Sequence, residues 1–184
     1  NGLARAVQKP MLMLPLPASL ARMAFDLNAR ILYRTPRDMV LEPVEMGGVP
    51  CTWISRRAQP DQGGVMLYLH GGGFVLGSLR SHRHLVAHLA AKSGQKALFV
   101  RYRLAREHPF PAACDDALAV YRGLLADGHD PARITLAGDS AGGCLALVLL
   151  QDIVRAGLPL PRAAALISPI TDLTGSSASL LQNR

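Results

Sequence analysis

The residues with chemical potential in this chain cluster at two glycine-rich points. Gly138-Asp139-Ser140-Ala141-Gly142 has the spacing G-x-S-x-G. An apolar run, Ile134–Ala137, enters it and a helix-like pattern leaves it. A strand that turns sharply into a helix leaves its middle residue strained and exposed, and only small residues on either side leave room for the crowding. Ser140 then stands at a helix N-terminus, where developing negative charge is stabilised. That is the setting of a nucleophilic hydroxyl, with Gly138, Asp139 and Gly142 as its supporting turn. The bland alternative is an ordinary glycine turn with a helix-capping serine.

The second point is His70-Gly71-Gly72-Gly73, directly after the apolar run Val65–Leu69. Three glycines following a strand expose consecutive backbone N–H groups with no side chain in the way. An oxyanion hole needs two or three such donors aimed at a developing negative oxygen. The N–H of Ala141, next to the serine, would complete the set. His70 reads as a hydrogen-bonding brace for the loop rather than as a base. A phosphate-cradling loop is a poorer fit, because neither G-x-x-x-x-G-K-[ST] nor G-x-G-x-x-G is present.

The elements that must position these points follow from periodicity. Leu20, Met23, Leu27 and Ile31 recur at helical spacing with Arg22, Asp26 and Arg30 between them, which predicts an amphipathic helix ending before Pro36. A hairpin is expected around Gly47-Gly48, between Val44–Met46 and Val49–Ser55. Strands are expected at Val65–Leu69, Lys96–Tyr102, Ile134–Ala137 and Ala163–Ser168. Helices are expected over Ser81–Ser93, Pro111–Ala126 and Ala141–Ala156, stopped by Gly94, Gly128 and Gly157, with Asp115 and Asp116 near the positive end of the second. Such alternation with continuously apolar strands predicts an α/β fold, a mostly parallel sheet with helices on both faces.

Composition removes other classes. The 184 residues carry a net charge of +7, yet only three of the 20 cations are lysines and the arginines are scattered. The densest group, Arg101, Arg103 and Arg106, has only Tyr102 as aromatic company, so no nucleic-acid partner is expected. Apolar stretches such as Cys144–Leu150 are too short to cross a bilayer, which predicts no stable membrane insertion. The run Met11–Leu16 is broken by Pro15, is followed by Pro17 and lacks a clear cleavage site, so no signal peptide is expected. Cys51, Cys114 and Cys144 are widely spaced and form no CxxC; they read as packing residues of a cytoplasmic protein, without a metal site.

HGGGF at 70–74, YRLAREHPFPAACDD at 102–116, GDSAGG at 138–143 and SPITDL at 168–173 resemble the hormone-sensitive-lipase-like (bacterial family IV) esterases of the α/β-hydrolase fold. Arg106 and Cys144 depart from that pattern, standing where the family usually has proline and often asparagine. The resemblance implies an N-terminal helical cap segment at 1–38 over an acyl pocket, and the N-terminal part of the hydrolase core at 39–184. It further implies Ser140 as nucleophile, with Gly71, Gly72 and Ala141 as oxyanion donors and Gly73 as a supporting loop residue. The implied substrate is a small-molecule ester with a short to medium acyl chain, with no cofactor and a homodimeric state.

The triad of this fold runs Ser, then Asp or Glu, then His along the chain. No histidine follows Ser140. Asp172 reads as a turn cap, Asp139 is aimed away from its neighbour by the tight turn, and Asp152 lies on the following helix. His82, His84, His88 and His108 come before the serine, against the fold's order. The catalytic acid and His are therefore expected beyond Arg184, with the C-terminal part of the fold missing. The 184 residues alone are expected to be inert and poorly soluble, since an interrupted parallel sheet leaves an open edge. A catalytically inactive ligand-binding module is the alternative reading.

Overall fold

The computed structural model describes residues 17–57 and 64–174. The expectations for Met11–Leu16 and for Gly175 lie outside those residues. In chain order the elements are α1 (Ala18–Leu32), β1 (Met39–Met46), β2 (Val49–Arg56), β3 (Val65–Leu69), α2 (Leu79–Ser93), β4 (Lys96–Val100), α3 (Ala112–Ala126), a 3₁₀ turn (Pro131–Arg133), β5 (Ile134–Asp139), α4 (Ala141–Arg155) and β6 (Ala163–Ile167). The strands form one sheet in the order β1-β2-β4-β3-β5-β6. The run β4-β3-β5-β6 is parallel and the β1–β2 hairpin is joined antiparallel to β4. This is the α/β architecture expected from the sequence.

Strand alternation divides the core. Leu67 and Leu69 of β3 and Ile134 and Leu136 of β5 point to one face, where Val120, Tyr121 and Leu124 of α3 and Leu145, Leu149 and Ile153 of α4 cover them. Met66, Tyr68, Phe99 and Ala137 point to the other face, against Val86, Ala87 and Ala90 of α2. The same count along β5 sends Asp139 to the α2 face, beside Tyr68. β1 is longer than the sequence suggested. Glu42, Pro43 and Glu45 obscure its alternation, and a proline is tolerated because β1 is an edge strand. The hairpin turn has both glycines at positive φ (59° and 80°), the geometry that suits a two-residue turn between twisted strands.

Two helices depart from expectation. α2 starts at Leu79 because the Ser78 side chain caps it, accepting from the N–H groups of Arg80 and Ser81, while the Ser81 side chain accepts from the Ser78 N–H. α1 forms as an amphipathic helix, but its apolar stripe faces outward: Met23 and Ile31 are 63% and 73% exposed. A surface helix ordinarily turns such a stripe inward. Here polar residues, together with the buried Ala29 and the Phe25 ring beside His82, hold α1 to the core. Arg22 forks onto the Glu107 carboxylate (2.8 and 2.7 Å) and donates from Nε to the Val75 carbonyl (2.8 Å). Asp26 accepts from the Ser78 hydroxyl (2.6 Å), and Tyr33 stacks on His84 with centroids 4.7 Å apart.

Among the described residues β6 is an open edge. Ala163, Ala164, Ala165 and Ile167 are exposed, as are Val154, Leu160 and Leu173 nearby. An apolar unpaired edge templates strand pairing between chains, and lysine on the edge suppresses it. We expect the 184-residue chain to self-associate in sedimentation velocity, and Ala165→Lys with Ile167→Lys to shift it toward monomer with helicity unchanged. Equal association of the double variant would show that another surface is responsible.

Candidate active site

Ser140 joins β5 to α4 at φ 52°, ψ −117°, a backbone conformation that L residues other than glycine rarely adopt. Its N–H donates to the Ile167 carbonyl (2.9 Å), and its carbonyl accepts from the N–H groups of Cys144 (3.1 Å) and Ile170 (3.2 Å). The flanking glycines are required. A Cβ on Gly138 would stand 2.5 Å from the Gly142 carbonyl oxygen, and one on Gly142 would strike the carbonyl oxygens of Leu69 and His70. Side chains at either position would force β5 and α4 away from the end of β3. The Ser140 hydroxyl has no hydrogen-bond partner among the described residues. Ala141, as the first residue of α4, has an N–H with no partner inside the helix.

The glycine loop sits against this elbow. Its peptide planes are fixed through their carbonyls. His70 Nδ1–H donates to the Gly71 carbonyl (2.8 Å), and the Gly72 carbonyl accepts from the N–H groups of Val75 (3.1 Å) and Leu76 (2.8 Å). In a trans peptide the following N–H points opposite to the carbonyl. The N–H groups of Gly72 and Gly73 are therefore turned away from those inward contacts, and neither has a partner among the described residues. Gly71 is different: its N–H donates to Asp139 Oδ1 at 2.9 Å. This corrects the expectation that Gly71 serves as an oxyanion donor, because its proton is already engaged. Gly73, expected only as support, has the free N–H instead.

His70 is a brace. Its ring is buried between Tyr102 (centroids 4.4 Å) and Phe99 (5.4 Å), with His82 at 5.3 Å, and the Tyr102 hydroxyl donates to the His70 carbonyl (2.7 Å). Burial, reinforced by the neighbouring His82, pushes its pKa down to about 4, so the ring is neutral near pH 7. Asp139 accepts from the Tyr68 hydroxyl (2.7 Å) as well as from Gly71, with His82 Nε2 3.6 Å from Oδ2. Burial raises its pKa, but the nearby His82 and the hydrogen bonds from Tyr68 and Gly71 outweigh that and hold it below the ordinary carboxylate value. Asp172 accepts from the Thr174 N–H (2.8 Å), closing a turn. Among the described residues no histidine bonds to Ser140 and no cluster of three metal-ligating side chains occurs.

The model of the alpha/beta hydrolase fold family matches residues 66–184. The chain belongs to the α/β-hydrolase family. Its relatives place it on the hormone-sensitive-lipase-like branch. An acetyl-hydrolase of Streptomyces hygroscopicus is 50% identical over 136 residues, which cover 74% of this chain and 45% of the relative. An esterase of Acinetobacter venetianus is 36% identical over 171 residues, covering 93% of this chain and 55% of the relative. A crystal structure of an esterase from the bacterial hormone-sensitive lipase family superposes with a TM-score of 0.89 at 39% identity, over 95% of this chain and 58% of that one. The chain spans about half the length of the curated relatives it matches.

Some of what braces this site was invisible in the sequence. Tyr68 reads as one more apolar residue of a buried strand, and its hydroxyl on Asp139 has no spacing signal. Asp116, read as a helix-dipole residue, accepts from the Arg103 guanidinium (2.7 Å) and N–H (2.8 Å), which fastens the loop after β4 to α3. The thiols are held protonated near pH 7: burial pushes Cys51 up to about 12 and raises Cys114 and Cys144. A cavity of about 600 Å³ opens between α1 and α2, lined by Phe25, Tyr33, His82, Leu85 and Asp139.

The buried imidazole makes a stability prediction. A histidine whose folded pKa falls from 6.5 to about 4 is neutral when folded but protonates when unfolded, so it contributes stability above pH 6.5 that is lost as pH falls toward 4. The full effect is roughly 3 kcal/mol. His84, also lowered by burial and nearby cations, adds to the same slope. Urea unfolding at intervals between pH 7 and 4 should show this loss in the 184-residue chain. His70→Asn, whose amide can still reach the Gly71 carbonyl, should flatten the slope; an unchanged slope would refute the assignment to His70.

Proposed function

We propose that this chain is the nucleophile-bearing part of a serine carboxylesterase acting on short- to medium-chain acyl esters, with its catalytic acid and His supplied by sequence beyond Arg184. The observation that carries the reading is the strained Ser140, whose hydroxyl has no partner among the described residues, in the elbow packed against a glycine loop where the N–H groups of Gly72, Gly73 and Ala141 likewise have none. Relatives named acetyl-hydrolase, esterase and ethyl acetate hydrolase support it. In the reaction Ser140 Oγ attacks the ester carbonyl and gives its proton to the His. The tetrahedral oxyanion accepts from Gly72, Gly73 and Ala141, each worth several kcal/mol in a dry site. The alcohol leaves with that proton, and water then hydrolyses the acyl group from Ser140 through the same His.

The open β6 edge suits a sheet that continues past Ile167, which is where the fold carries its acid and His. Residues 17–38, with the cavity beneath α1, are proposed as part of a cap over the acyl chain, and 39–184 as core. In the full-length protein, Ser140→Ala should lower ester turnover by roughly 10⁴-fold or more while the circular dichroism spectrum is retained. A fluorophosphonate should label the unsubstituted protein at Ser140, located by peptide mass spectrometry. Ligand binding without turnover or labelling would favour the inactive binding module instead.

A further inference from the structure

The elbow and the glycine loop come from different strands, β5 and β3, so some interaction must set the distance between the nucleophile and its oxyanion donors. The register fixes the two strands only up to Leu69 opposite Gly138. Beyond that pair, both backbones leave the sheet, one turning into α4 and the other into the loop. Asp139 closes the gap. It immediately precedes Ser140, and the residue whose N–H it accepts, Gly71, immediately precedes Gly72. One hydrogen bond of 2.9 Å thus ties the residue before the nucleophile to the residue before the first free donor.

Three features make this bond directional. Tyr68, one strand over, donates to the same Oδ1 at 2.7 Å and stops the carboxylate from rotating. His82 Nε2, 3.6 Å from Oδ2, restrains the other oxygen from α2. Gly71 itself packs so closely on this carboxylate that a Cβ there would strike Oδ2. With its N–H aimed at Asp139 and its carbonyl at His70, Gly71 has no rotational freedom left, and the Gly72 N–H direction follows from it.

We propose that Asp139 is a positioning residue for ester hydrolysis, holding the oxyanion loop at its working distance from Ser140 through the Gly71 N–H. This rests on the serine-esterase reading. Asp139 touches no reacting atom in this scheme. Its contribution is geometric and is felt when the oxyanion forms, so its loss acts on kcat rather than on KM.

The test uses the full-length protein with a short-chain p-nitrophenyl ester and an alkylboronic acid, which forms a tetrahedral adduct on an active serine. Asp139→Asn keeps an oxygen for Gly71 and Tyr68 and should retain kcat within about threefold. Asp139→Ala removes the acceptor, and Asp139→Glu keeps the charge but displaces it by one methylene. Each should lower kcat about 10- to 100-fold, leave KM within about twofold and weaken the boronate by a factor similar to the kcat loss. Thermal midpoints are recorded for all, and Asp139→Glu carries the test if the alanine variant fails to fold. Wild-type kcat in Asp139→Glu would overturn the proposal, as would a rise in KM at constant kcat. Equal loss in Asp139→Asn and Asp139→Glu would overturn it too, assigning the effect to charge. Ser140→Ala runs alongside: if it retains turnover, the esterase reading fails by itself, whatever the Asp139 variants do.

Discussion

The close approach of α4 to the end of β3 is the constraint on which the site depends. Gly142 lies under the carbonyls of Leu69 and His70, with no space for a methyl group. A helix this near the strand end can be reached from β5 only through a turn of one residue, which forces Ser140 to positive φ. Such a conformation costs on the order of 1–3 kcal/mol and persists only where the surroundings over-determine it. The surroundings here do so. β5 is paired on both sides, by β3 and β6, and Leu145, Leu149 and Ile153 anchor α4 in the core. The strain is local and the restraint is global.

The same approach brings two sets of backbone donors to one place. The first turn of α4 presents N–H groups that no helix can satisfy internally, and the glycine loop presents those of Gly72 and Gly73. Their directions are set by what the neighbouring carbonyls accept. His70 thus acts on the backbone: a neutral imidazole, buried between Tyr102 and Phe99, aims a peptide plane. A protonated base in that position would be costly to bury, and that cost is what depresses its pKa.

Much of this was legible in the sequence because periodicity and glycine placement are local signals. The parallel strands show as continuous apolar runs, and the elbow and the loop show as glycines after strands. What the sequence concealed depends on contacts between distant residues. The outward face of α1 cannot be read from its own pattern, since Leu20, Met23, Leu27 and Ile31 would predict burial in any isolated helix. The decision is made by Arg22 and Asp26, which find Glu107, Val75 and Ser78 far along the chain. The Gly71 N–H was assigned to the oxyanion for the same reason. A row of three glycines does not show which proton a side chain nearly seventy residues away has already taken.

Ser140 is also tied to the sheet edge. Ser140 is clamped front and back by the end of β6, through the Ile167 carbonyl and the Ile170 N–H. β6 is at once the support of the elbow and the least covered strand of the sheet. Among the described residues β6 is paired on one side alone, by β5, so the Ser140 backbone bonds rest on an edge strand. The Ser140 backbone is thus held from β6 through Ile167 and Ile170, and from β3 through the Asp139–Gly71 bond, so that elbow geometry and the sheet edge become a single mechanical problem.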